Sequence, residues 1–125
     1  MTFTGCRPVF PIMNLDASLA YYVDVLGFTL DWRLPEPKGP GNDDDSSGIA
    51  YVYRGDFELL LQSGKSPVSP VEIVVGMPST AAVDAIDREY VAAGAKILEH
   101  PSARDWGTYE MLVVDPDGHR LRILH

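Results

Sequence analysis

The sequence predicts an α+β fold built from two βαβββ modules, and three observations lead there. The last stretch, Asp105 to His125, reads as one β-hairpin. An apolar, β-prone run spans Thr108 to Val114, Asp115-Pro116-Asp117-Gly118 has turn chemistry, and His119 to His125 alternates again. A similar hairpin occurs earlier, with Ile49 to Tyr53 and Phe57 to Gln62 joined by a Gly55-Asp56 turn. Each hairpin follows a helical segment closed by a glycine, Gly27 or Gly94, and both sets of landmarks recur with a period near half the chain.

In order, Val9 to Met13 is a short apolar run broken by Pro8 and Pro11, which fits a strand at a sheet edge. Asn14 or Asp16 can cap a helix whose buried face carries Leu15, Leu19, Tyr22, Val23 and Leu26. Phe28 to Leu34 alternates, placing Phe28, Leu30 and Trp32 on one face and Thr29, Asp31 and Arg33 on the other. Pro35 to Ser47 is rich in Pro, Gly and Asp and reads as a mobile surface loop. Its Asp43, Asp44 and Asp45 are consecutive, whereas calcium loops place their ligands at alternate positions, so a calcium site there is disfavoured.

Residues 64–69 form a linker between modules 1–63 and 70–125 of one domain, 1–125. Glu72 to Gly76 is the next strand. Ser79 or Thr80 caps a second helix, with Val83, Ile86, Tyr90 and Val91 on its buried face. Lys96 to Leu98 begins another strand, and Pro101 to Arg104 reads as a loop. Neither module is large enough for a full core. The expected arrangement is a pair of curved antiparallel sheets around a cleft, each with its helix on the convex side.

Composition narrows the function. The chain has 125 residues and a net charge of −8, which argues against nucleic acid and against anionic membrane surfaces as partners. Its one cysteine, Cys6, excludes an internal disulfide and a paired-cysteine zinc site. Neither a signal peptide nor a run of about 20 apolar residues is present, so a cytoplasmic protein is expected. No nucleophile elbow, phosphate loop or dinucleotide fingerprint occurs.

Several stretches together resemble the vicinal oxygen chelate superfamily, and within it most nearly the bleomycin-resistance-protein branch. They are Leu15-Asp16-Ala17-Ser18-Leu19-Ala20-Tyr21-Tyr22, Val25-Leu26-Gly27-Phe28, Asp31-Trp32, Asp105-Trp106-Gly107, Glu110 and Asp115-Pro116-Asp117-Gly118. Enzymes of that superfamily hold a divalent metal through His, Glu or Gln. By this resemblance the ligand positions fall near Arg7, at Glu58, at Val71 or Glu72, and at Arg122. A guanidinium has no lone pair to give, so neither a metal nor another cofactor is expected. The resemblance instead suggests an ion pair between Glu58 and Arg122, while His100, His119 and His125 read as solvated.

In the bleomycin-resistance branch a ligand is sequestered in a cleft of aromatic and acidic groups, usually at a homodimer interface. The resemblance therefore implies a small-molecule ligand, a homodimer, and Trp32, Trp106, Asp31, Glu58, Glu110, Arg7 and Arg122 as ligand-binding residues. Core packing is the competing role for each tryptophan. The favoured reading is metal-independent binding of a small, partly planar molecule such as an antibiotic. Its rivals are a lyase, isomerase or dioxygenase with a non-standard metal site or with Glu58 as a metal-free base, and a scaffold whose cleft its own side chains fill.

Overall fold

A computed structural model describes residues 1–37, 46–64 and 69–125. Asp43, Asp44 and Asp45, most of the expected mobile loop and most of linker 64–69 lie outside the described residues. The chain forms two compact units, Met1–Ser69 and Pro70–His125. The first contains β1 (Val9–Ile12), α1 (Leu15–Leu19), β2 (Thr29–Leu34), β3 (Ile49–Arg54) and β4 (Phe57–Ser63). The second contains β5 (Glu72–Gly76), α2 (Thr80–Ala93), β6 (Lys96–Ala103), β7 (Tyr109–Val114) and β8 (Arg120–Leu124). The fold is α+β, with the βαβββ order occurring twice.

Each unit holds one four-stranded sheet, ordered β1-β4-β3-β2 in the first and β5-β8-β7-β6 in the second. The sheets are mixed, not purely antiparallel. β1 runs parallel to β4 and β5 parallel to β8, while the remaining pairs are antiparallel. In the first unit the register puts Phe10, Leu61, Ala50, Leu59 and Val52 on the helix side, where all are buried. Val9, Leu60, Tyr51 and Trp32 form a row across the opposite face.

Local chemistry explains the helices. The Asn14 side chain accepts from the Ala17 N–H at 2.9 Å and so caps α1. The expected single α-helix instead widens into π-type turns over Ala20–Val25. The buried stripe still carries Leu15, Leu19, Tyr22 and Leu26. Tyr22 meets Phe28 edge-on at 5.3 Å, and Phe28 meets Phe57 at 5.4 Å. Ser79 caps α2 through the Ala82 N–H, and Gly94 closes it with φ 81, a left-handed value that glycine tolerates. Val83, Ile86 and Tyr90 are buried as expected, whereas Val91 falls past the end of the apolar stripe and is exposed.

Two further expectations change. β6 continues through Pro101 to Ala103 with two register shifts, where a loop was expected. This is tolerable because β6 is an edge strand, so a missing N–H breaks no central ladder. His119 is fully buried, not solvated. Its Nδ1 accepts the Val71 N–H at 3.0 Å, Val71 accepts from the Arg120 N–H at 2.9 Å, and the Asp115 carboxylate accepts the His119 N–H at 2.8 Å. The turn before β8 thereby latches the segment leading into β5. Among the described residues no helix is long and apolar enough to cross a membrane.

Replacing His119 with Ala leaves the Val71 N–H without its acceptor and opens a void in a packed site. Chemical denaturation should show a loss of roughly 2–3 kcal/mol. A loss under about 0.5 kcal/mol, the range of a neutral surface change, would mean that the latch does not hold.

Candidate functional site

In the first unit the face turned away from α1 carries the chemistry. β1 runs parallel to β4 with Val9 beside Leu60, which sets Arg7, two residues earlier, beside Glu58. Arg7 Nε donates to Glu58 Oε2 at 2.8 Å. The same guanidinium lies 4.8 Å above the Tyr51 ring, within cation–π range. Tyr51 in turn stacks with Trp32, with centroids 6.2 Å apart and planes 18° apart, and touches Tyr53. The hydrogen bond from Arg7, then that from the Tyr51 hydroxyl, hold the Glu58 carboxyl below the ordinary range. Burial raises the Tyr51 phenol above its usual value, and the Glu58 contact adds to the shift.

Trp32 is 41% exposed. The alternation that would have grouped it with Phe28 and Leu30 as core is broken by a register shift between Leu30 and Trp32. Asp31 sits at this irregularity and is exposed. A groove of about 370 Å³ lies beside Arg7 and Glu58, lined also by Thr4, Gly5 and Cys6.

The corresponding face of the second unit is a network of charges. Arg122 donates to both oxygens of Glu72, from Nε at 3.0 Å and Nη2 at 3.3 Å. Its Nη1 lies 3.7 Å from Glu110 Oε1 and 3.9 Å from Glu99. Arg104 Nη2 donates to Glu99 at 2.8 Å, and its Nε lies 3.3 Å from Glu110 Oε1 without hydrogen-bond alignment. Glu110 is only 1% exposed, so the two guanidiniums are what make its burial tolerable. The hydrogen bond from Arg122 lowers the Glu72 carboxyl below its usual range. Trp106, 70% exposed, lies in the turn between β6 and β7.

Within the units, Glu58 pairs with Arg7 and Arg122 pairs with Glu72. Arg7 continues the line of β1 beside β4, and Glu72 lies two residues before Val74, the register partner of Arg122 on the parallel strand β5. The donor set does not fit a divalent metal. Two of the four positions are guanidiniums, both glutamates are engaged by them, and no cluster of three or more His, Cys, Asp or Glu among the described residues could hold an ion. His100 contacts Asp87 and His125 contacts the Met77 carbonyl. Sequence reasoning missed Tyr51, Tyr53, Glu99 and Arg104. The two tyrosines were findable, since they alternate on β3 opposite Leu60 and Glu58. Arg104 lies just past the end of β6, where no strand alternation marks the face it joins.

A family model described as the Glyoxalase/Bleomycin resistance protein/Dioxygenase superfamily matches residues 7–123. No curated protein matches the chain. Among solved structures it is similar to TioX from Micromonospora sp. ML1, with TM-score 0.79, 20% identity and 98% of each chain covered. It is similar to a glyoxalase/bleomycin resistance protein/dioxygenase from Nocardioides at TM-score 0.76 and 19% identity, covering 99% of this chain and 83% of that one. A lactoylglutathione lyase from Agrobacterium tumefaciens gives TM-score 0.74 and 19% identity, covering 98% of this chain and 94% of that one. Identities this low speak for the fold alone.

Two outcomes follow from the charges. Glu58 has a lowered pKa when folded, so its pairing with Arg7 stabilises above the unfolded carboxyl pKa of about 4.3 and fades as pH falls through the folded value. Glu58→Gln should therefore be less stable than the parent at pH 7, and the two denaturation curves should converge by about pH 2, below the ordinary carboxyl range. Arg122→Met should cost about 1–3 kcal/mol in chemical denaturation, because the buried Glu110 then keeps only Arg104. With Arg104→Met added, the two losses should fail to add, which a double-mutant cycle reads directly.

Proposed function

The chain belongs to the Glyoxalase/Bleomycin resistance protein/Dioxygenase superfamily, and we propose that it binds a small, partly planar molecule without transforming it. The observation that carries this reading is the face of the first sheet. There the exposed Trp32 ring stacks on the buried Tyr51, and a guanidinium stands where a metal enzyme would need a lone-pair donor. Aromatic faces attract flat ligands, and exposed indole is costly to leave in water without such a role.

The lowered pKa of Glu58 weighs against its use as a metal-free base. A carboxylate stabilised in its ionised form by Arg7 has less affinity for a substrate proton. In this reading Glu58 serves to aim Arg7, while Glu110 and Arg122 carry fixed charge on the second sheet. Asp31 and Trp106, both exposed, extend the set of residues open to a ligand. Antibiotics with flat chromophores belong to the ligand class, with protection arising from sequestration. The reading takes the protein as a homodimer, which light scattering in solution tests.

Titration with a panel of planar antibiotics and metabolites, followed by tryptophan fluorescence and calorimetry, is the decisive experiment. At least one compound should quench and bind saturably with its structure unchanged on recovery. Trp32→Ala should weaken that compound about tenfold, consistent with about 1.4 kcal/mol of stacking. Turnover of the compound, or a panel without a single binder, would overturn the proposal.

A further inference from the structure

We infer that the ligand is an anion, a planar organic acid whose carboxylate is received by Arg7. This rests on the binding role proposed above and specifies its chemistry. The helix-free faces of the two sheets carry arginines whose engagement differs. Arg122 spends Nε and Nη2 on Glu72 and turns Nη1 toward Glu110 and Glu99. Arg104 is shared between Glu99 and Glu110. Arg7 engages Glu58 through Nε, and among the described residues neither of its Nη atoms meets a carboxylate.

The geometry makes that edge usable. Glu58 holds the guanidinium through Nε, and its central carbon lies 4.8 Å from the Tyr51 ring centroid. Its side chain is 55% exposed and borders the 370 Å³ groove. Two Nη groups held in one plane match the two oxygens of a carboxylate, and a fork already aimed loses little freedom on binding. Tyr53 shares the register row of Glu58, and Trp32 shares that of Tyr51, so exposed rings flank the fork on the same face. A flat acid can lie on these rings while its carboxylate reaches Arg7.

A cationic ligand meets the opposite situation. Glu58, Glu72, Glu99 and Glu110 are each already paired with a guanidinium, so a cation would have to break an existing pair to gain any of these four carboxylates. The overall charge of −8 acts over distance and is largely screened beyond about 8 Å at physiological salt, whereas the fork acts at contact.

Calorimetry with three probes of one shape tests this: naphthalene-2-carboxylate, naphthalene-2-carboxamide and 2-naphthylmethylammonium. The carboxylate should bind about tenfold or more tightly than either other probe. Arg7→Met should abolish that preference while leaving weak binding of all three, and Arg7→Lys should keep part of it. Equal or tighter binding of the amide or the ammonium by the parent protein overturns the inference and leaves the binding role standing. So does a preference that survives in Arg7→Met. If none of the three probes binds the parent protein, the inference falls, and the binding role is decided by the wider panel. The comparison on the parent protein stands even if a variant folds poorly.

Discussion

Guanidinium–carboxylate pairing between adjacent parallel strands is the constraint on which the rest depends. In each unit the strand preceding the helix lies parallel to the strand that closes the hairpin, and the two carry opposite charges at neighbouring positions. The polarity is reversed between the units. Arginine comes from the segment leading into β1 in the first and from the closing strand in the second. Each pair occupies the face that the helix does not cover. Hydrophobic burial organises one side of each sheet, and charge organises the other.

That division explains why the two faces were unequally legible. The helix side follows from apolar periodicity, and Leu15, Leu19, Tyr22, Leu26, Val83, Ile86 and Tyr90 are buried where the spacing put them. The twofold βαβββ order followed from turn chemistry at Gly55 and Gly118 and from the glycines closing the helices. Periodicity is blind to a register shift, however. The irregularity between Leu30 and Trp32 removes Trp32 from the row of core residues and sets it against Tyr51. It is blind also to pairing across strands. Motif matching pointed to Glu58 and Arg122, whereas the pairs Arg7–Glu58 and Arg122–Glu72 follow from strand order within each unit.

His119 shows a third limit. A histidine beside a turn is ordinarily solvated, and only the three-dimensional position of Val71 turns its ring into a buried acceptor. The π-type turns over Ala20–Val25 are similar. They keep the helical face that the sequence specifies but change the winding that delivers it. In both cases the residue type was compatible with the local prediction, and tertiary packing selected another option.

The prolines of the outer strands have a consequence for solubility. Each sheet ends on one side in a strand interrupted by proline, Pro11 in β1 and Pro101 in β6. A rim that lacks an amide hydrogen midway cannot template an incoming chain along its whole length. These two borders are therefore shielded from runaway polymerisation, without any side chain being recruited from the faces that meet a ligand.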